Sequence, residues 1–238
     1  MRARAVGALP LAGAGGNIAG LILAGGRGSR MGEIDKGLAP LRGAPLVEHV
    51  ARALAPQVAR LVLSANRNAE VYARYGPVLA DDPAHGAWQG PLAGVAAGLA
   101  GSPLPWVATV PCDTPFLPGD LVERLALALH AEAGRAQDAA AAPPSAPMAG
   151  GQSAGAARIA VARAGGHRQS VCMLLPADLL PSLRAYLDAG ERKVERWQDR
   201  NGCVEVAFDD EAAFMNLNTS AELAQAHTLA PSGRKDRP

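Results

Sequence analysis

Aromatic residues make up only 4% of this 238-residue chain, cysteine occurs three times, and charge of neither sign dominates, with 23 basic against 22 acidic side chains. Each scarcity excludes something. Cys112, Cys172 and Cys203 are odd in number, far apart and outside any C-x-x-C or Cys/His spacing. A disulfide framework and a zinc site are therefore not expected, and a reducing, cytoplasmic setting is. A net charge of +1 provides no broad positive field for a nucleic-acid backbone, so nucleic acid is not expected as a partner, although a local phosphate pocket is compatible with it. No apolar run approaches the roughly 18 residues of a membrane span, so no membrane association is expected. The opening MRARAVGALPLAGAGGN imitates a secretion signal, but it is weak in Leu, Ile and Phe and interrupted by Gly and Pro. Residues 1–18 are read instead as a disordered extension.

What the chain has in quantity is small and turn-forming residues: 27 glycines and 19 prolines, with 49% hydrophobic residues overall. Short apolar runs at 21–24, 61–64, 78–80 and 106–110 alternate with stretches of helical period, the pattern of an α/β protein with a parallel sheet and crossover helices. From residue 45, Leu46, Val47, Val50, Ala53 and Leu54 recur at spacings of three and four, which predicts an amphipathic helix opened by Pro45. A small-residue helix is expected over 91–99, and a third beyond Asp120, which suits an N-cap. Residues 131–157 contain almost no large apolar side chain and are read as a flexible Ala/Pro/Gly-rich insertion within one domain over 19–228. Beyond it, strands are expected at 159–162, 171–175 and 203–208, with a helix over 177–187. Residues 229–238 read as a solvated tail.

Two segments carry chemistry. In residues 21–37, LILAGGRGSRMGEIDKG, a hydrophobic strand runs directly into Gly25, Gly26 and Gly28, with Arg30 and Lys36 close behind. Glycines there let backbone N–H groups approach phosphate oxygens, and the two cations add charge to the same loop. No Gly-Lys-Ser/Thr follows, and Met31 stands where a dinucleotide fingerprint needs its third glycine. A bare strand-to-helix turn is the alternative. In residues 106–118, WVATVPCDTPFLP, Asp113 follows an apolar strand at its carboxyl end, the edge where open α/β sheets hold ligands. A carboxylate beside a phosphate cradle implies a cation between them, for which Mg²⁺ is suited. An N-cap or turn aspartate braced by Thr114 is the plainer alternative. Cys112 has no histidine near it in sequence and is read as a packed residue.

Taken together, Leu23-Ala-Gly-Gly26, Arg30-Met-Gly32, Asp35-Lys36, Ala65-Asn-Arg67, Gly90-Pro-Leu-Ala-Gly94, Pro111-Cys-Asp-Thr-Pro115, Ala189-Gly-Glu-Arg-Lys193 and Asn216-Leu-Asn-Thr219 resemble the nucleotidyltransferases, and within them the molybdopterin guanylyltransferases. The resemblance implies a Rossmann-like fold of the nucleotide-diphospho-sugar-transferase type, a mostly parallel sheet with helices on both faces. It implies that Leu23, Ala24, Gly25 and Gly26 line a GTP site and that Lys36 contacts the phosphates. Asp113 would bind Mg²⁺ and nucleotide, with Arg30, Lys36 and Asp113 as the catalytic set. Ser64 stands where the family often has Asn, so that nucleotide contact would be made by a smaller hydroxyl. Asp81, with Asp82 as neighbour, would contact the nucleoside, since a carboxylate accepts from guanine N–H groups or a ribose hydroxyl. Asn216 and Asn218 either face molybdopterin or form a turn and cap before Ser220. Arg192 and Lys193 either meet its phosphate or lie on a charged helix face.

The implied reaction is GMP transfer from GTP to molybdopterin with release of pyrophosphate, by a cytoplasmic monomer. Cofactor-delivery proteins or acceptor molybdoenzymes would be its further partners. Gly25 and the Gly90–Gly94 stretch favour GTP over CTP within the resemblance. A cytidylyltransferase or a sugar-phosphate nucleotidyltransferase is the nearest alternative, and a non-catalytic nucleotide-binding protein the more distant one.

Overall fold

Alternation along the first strand sets the layering. β1 (Ile18–Leu23) sends Ile18 and Ile22 to one face and Leu21 to the other, all of them fully buried, so the sheet needs cover on both sides. The computed structural model that shows this describes residues 9–13, 16–24, 35–82, 90–141 and 157–228. After β1 come a small hairpin of β2 (Pro40–Leu41) and β3 (Ala44–Pro45), then α1 (Leu46–Leu54), β4 (Arg60–Ser64), α2 (Ala69–Tyr72) and β5 (Val78–Leu79). The chain continues through α3 (Pro91–Gly101), β6 (Trp106–Pro111), α4 (Leu121–Ala141), β7 (Ile159–Ala164) and β8 (His167–Pro176). It closes with α5 (Leu180–Asp188), α6 (Val194–Arg200), β9 (Cys203–Phe208) and α7 (Ser220–Thr228).

Seven strands form one sheet in the order β5-β4-β1-β6-β8-β7-β9. β5, β4, β1 and β6 run parallel, β8 is antiparallel to both β6 and β7, and β9 is parallel to β7. One face carries α1 and α4, whose Val47, Val50, Leu54, Leu121, Leu125 and Leu129 pack with Ile18, Ile22 and Leu63. The other carries α3, α5 and α6, which bring Leu92, Val95, Leu183 and Trp197 against Leu21, Val62 and Val107. The chain winds outward from β1 through β4 to β5 and returns by α3 to β6 on the other side of β1. That reversal places a ligand crevice at the carboxyl ends of β1 and β6. α3 lies close to the sheet because a Cβ at Gly98 would meet Leu21 Cδ2 at 2.2 Å.

Three expectations are corrected. Residues 131–141 are the last turns of α4 and not the start of a flexible insertion; residues 142–156 lie outside the described residues. Leu129 is the last fully buried leucine of that helix, and beyond it Ala131, Ala133, Ala136 and Ala139 sustain the turns by propensity, with Glu132 pairing with Arg135. Residue 18 already belongs to β1, and the segment before it is tied down where it is described, Gly13 N donating to Gln57 O at 2.9 Å and Leu11 N to Asn17 Oδ1 at 2.7 Å. Finally, α4 is capped by Gln57, whose Oε1 accepts from Val122 N at 2.9 Å, while the Asp120 carboxylate pairs with Arg124 at 3.8 Å. Residues 229–238 also lie outside the described residues.

Candidate active site

The rim is assembled by strand register. Leu23 stands beside Ser64 on β4 and Pro111 on β6, its carbonyl accepts from Cys112 N at 3.0 Å, and Ala24 N donates to Ser64 O at 2.8 Å. Leu23, Ala24, Ser64 and Asp113 are thereby brought to one edge. Gly25, Gly26 and Arg30 lie outside the described residues. The Gly90-to-Gly94 stretch now has a physical reason. Gly90 takes φ +81° ahead of Pro91, the first residue of α3, and a Cβ at Gly94 would stand 2.7 Å from Ser64 Oγ.

Lys36 opens a 3-10 turn over Lys36–Leu38 and sends its ammonium across the rim. Nζ donates to Asn218 Oδ1 at 2.6 Å and stands 4.0 Å from Asp113 Oδ2. The irregular Asn216–Asn218 segment ahead of α7 lies against the segment after β6: Leu217 N donates to Asp113 O at 2.9 Å, and Thr114 Oγ1 to Asn216 Oδ1 at 2.7 Å. Asn218 and Thr219 then lead into α7. Glu222 Oε2 accepts from Asn218 N at 2.7 Å and Thr219 N at 2.8 Å, and Thr219 Oγ1 accepts from Glu222 N at 3.1 Å. This is a capping box, so the segment both caps a helix and faces Lys36. The backbone N–H of Asn218 is the main reason that the Glu222 carboxyl sits below its usual range.

Asp113 is the under-neutralised charge of the rim. Its side chain is 16% exposed, and burial pushes its carboxyl above the ordinary value, with Lys36 and a backbone hydrogen bond acting against that and Glu222 adding to it. A buried carboxylate in that state favours a cation. No group of three or more His, Cys, Asp or Glu able to hold a metal exists among the described residues, and Asp113 is the carboxylate that faces Lys36 at this rim. One carboxylate fits an ion that takes most of its remaining ligands from phosphate oxygens and water, as Mg²⁺ does.

A second polar cluster lies at the ends of β4 and β5. Asp81, just past β5, accepts from Asn66 Nδ2 at 2.7 Å and from Ser64 Oγ at 3.3 Å, while its own N donates to Asn66 Oδ1 at 2.9 Å. Ser64 and Asp81 are therefore joined directly, and Asn66 holds Asp81 by two further hydrogen bonds. Arg192 is turned back onto its own loop, donating to Leu187 O at 2.8 Å and Glu191 O at 2.7 Å. Cys112 is buried, and its thiol is pushed far up chiefly by that burial, as befits a packed residue.

Sequence reasoning passed over the role of Asp35. Its side chain is 5% exposed and accepts from Tyr72 OH at 2.6 Å and Asn68 Nδ2 at 2.9 Å, with Arg67 Nε 3.3 Å away. The available signal was an acid directly before Lys36; its partners lie 32 to 37 positions on, and no local pattern links them.

Lys36 and the buried Asp113 face each other at the topological switch point of the sheet, an arrangement in keeping with an α/β nucleotidyltransferase. The family model described as a MobA-like NTP transferase domain matches residues 20–202. Proteins named molybdenum cofactor guanylyltransferase are similar over most of the chain. The one from Cupriavidus taiwanensis is 45% identical over 89% of this chain and 96% of its own, and the one from Bordetella petrii is 48% identical over 88% and 96%. The chain belongs to the MobA-like NTP transferase family, in its molybdenum cofactor guanylyltransferase group. Among solved structures, molybdopterin-guanine dinucleotide biosynthesis protein A from Archaeoglobus fulgidus superposes with a TM-score of 0.63 at 20% identity, covering 88% of this chain and 96% of that one. A 2-C-methyl-D-erythritol 4-phosphate cytidylyltransferase from Thermus thermophilus reaches 0.58 at 17% identity, covering 89% and 97%. These two confirm the fold.

Proposed function

We propose that this protein transfers GMP from GTP to molybdopterin, forming molybdopterin guanine dinucleotide and pyrophosphate in molybdenum cofactor biosynthesis. The observation that supports it most directly is the meeting of Lys36, Asp113 and Asn218 at one rim, where they would serve as phosphate contact, metal carboxylate and acceptor-side amide. The terminal phosphate oxygen of molybdopterin forms a bond to the α-phosphorus of GTP in line. The bond from that phosphorus to the bridging oxygen breaks, and the electron pair leaves with pyrophosphate. The nucleophile is already an anion, so no general base and no covalent enzyme intermediate are needed.

The protein's contribution is positioning and charge. Lys36 and Arg30 neutralise phosphate oxygens, and the backbone N–H groups after Ala24 cradle them. Asp113 would hold Mg²⁺, which when bound offsets the charge that develops on the leaving pyrophosphate. Leu23, Ala24, Gly25, Gly26 and Ser64 line the nucleotide pocket, Asp81 receives guanine or ribose donors, and Asn216 and Asn218 face the pterin. The three unpaired cysteines support a reducing, cytoplasmic setting. Delivery proteins or acceptor molybdoenzymes would dock at this same rim.

The neighbouring fold of a cytidylyltransferase shows that architecture alone does not select the base. Purified protein with Mg²⁺ and molybdopterin should release pyrophosphate with GTP and far less with CTP or ATP. Release with CTP would move the nucleotide assignment, and GTP binding without release would remove the transferase reading.

A further inference from the structure

We propose that Asp35 is a positioning residue for Lys36, a buried anchor that fixes the turn from which the lysine reaches the phosphate rim. The inference deepens the proposed function and rests on its reading of Lys36 as a nucleotide contact.

A carboxylate that is 5% exposed must be compensated, and its side-chain partners among the described residues, Arg67, Asn68 and Tyr72, come from one stretch. Tyr72 OH donates to Oδ1 at 2.6 Å, Asn68 Nδ2 to Oδ2 at 2.9 Å, and Arg67 Nε lies 3.3 Å from Oδ2. Asn68 holds the left-handed conformation at φ +51°, which asparagine adopts more readily than other side-chain-bearing residues, and from there its amide reaches Asp35. Both carboxylate oxygens are thereby engaged by the segment that follows β4, which argues against Asp35 as a second metal ligand.

The main chain of the same residue starts the turn. Asp35 O accepts from Leu38 N at 2.9 Å and Lys36 O from Ala39 N at 3.0 Å. At the next position there is no room to slide, because a Cβ on Gly37 would stand 2.5 Å from Tyr72 Oη and 3.1 Å from Cys112 Sγ. The turn is thus pressed between Tyr72 and the end of β6. From it the Lys36 side chain leaves toward Asn218 and Asp113, while Asp35 points into the interior. A lysine has four rotatable bonds, and one short turn does not locate its ammonium by itself. An anchored neighbour removes the backbone part of that freedom.

The test is a double-mutant cycle read by GTP affinity in the presence of Mg²⁺, with full-length protein and circular dichroism to check folding. The singles are Lys36→Ala, Asp35→Asn and the milder Tyr72→Phe, which removes one donor from Asp35 and keeps the packing. Lys36→Ala should weaken GTP by about 10- to 100-fold, and Asp35→Asn and Tyr72→Phe by about 3- to 20-fold. If Asp35 acts through Lys36, combining either change with Lys36→Ala should weaken GTP little further. Fold-changes that multiply in full, or a Tyr72→Phe protein with normal affinity, overturn the positioning role while leaving Lys36 as a nucleotide contact. Unchanged affinity in Lys36→Ala alone overturns the Lys36 reading, and the positioning role with it.

Discussion

The rim around β1, β4 and β6 and the far edge of the sheet around β8, β7 and β9 use the same kinds of side chain in opposite ways. At the far edge every charge named here is matched. Arg168 donates to Asp199 at 2.8 Å and to Glu205 through Nε and Nη2 at 3.0 and 2.8 Å, and Arg163 adds a contact to Glu205 at 3.3 Å. Ser170 donates to Glu195, whose carboxyl is held below its usual range chiefly by that bond. At the rim, Asp113 faces one cation at 4.0 Å and its carboxyl is pushed up by burial. Charges that satisfy one another lock α6 to β8 and β9. A charge that the protein leaves half-compensated is the one available to chemistry.

The largest effect expected from breaking this contrast lies at Asp113. Asp113→Ala should lower turnover by about 10²- to 10³-fold, as loss of a preorganised electrostatic contact does, with the circular dichroism spectrum unchanged. The pH profile sharpens the point. A metal-binding carboxylate must be ionised, and burial raises its value in the metal-free fold, so the acid limb of kcat/KM at sub-saturating Mg²⁺, which reports the free enzyme, should lie above the ordinary carboxylate range. A limb at or below that range would show that another group controls the rate. At the far edge the balance reverses. Arg168→Ala should cost about 1–3 kcal/mol in urea unfolding, because Asp199, Glu205 and Gln198 lose a shared donor, while pyrophosphate release per folded molecule stays near normal. A large loss of turnover at unchanged stability would dissolve the distinction between the two regions.

How far these regions were legible in sequence differs for a physical reason. The parallel half announces itself locally: strands at 61–64 and 106–110 lie within the observed β4 and β6, and Lys36 and Asp113 stand beside glycine or proline punctuation. The far half depends on pairing between distant segments. β8 proves to be ten residues long and antiparallel, turned by Gly165 and Gly166 at φ +56° and +76°, a Gly-Gly hairpin signal that composition alone submerges among 27 glycines. α2 has four residues, too few for any period to show, and it is held by what Asp35 accepts from Asn68 and Tyr72. Asn216 and Asn218 read as either a cap or a pterin contact; the fold shows the cap, through Glu222, and adds Lys36 as a partner of Asn218.

A subtler consequence separates function from stability at one residue. Where burial raises a carboxyl above its unfolded value, the folded protein is most favoured while the group is protonated, and that advantage is lost as pH rises through the folded value. At neutral pH the ionised Asp113 therefore costs the ligand-free fold stability. Asp113→Asn should raise Tm at pH 7 and lose that advantage in acid, while still abolishing most turnover. A lowered Tm at neutral pH would mean that Lys36 and the backbone more than compensate the charge.

The smallest effect tests the end of α4, which caps the far half and lies away from the rim. Residues 131–141 are helical although their side chains bury little, so propensity must carry much of the segment. Gly134 sits within it, at a position where an added Cβ meets nothing within 4 Å. Gly134→Ala should therefore stabilise by about 0.4–1 kcal/mol, by lowering the freedom of the unfolded chain and favouring the helix. In a domain of this size that corresponds to a Tm increase of about 1–4 °C, with pyrophosphate release unchanged. A flexible segment at 131–141 would return no shift at all, since alanine and glycine differ little in a chain that is never ordered. A shift of the expected sign with normal turnover would place the helix overhang with the far edge, as structure that the reaction does not consult.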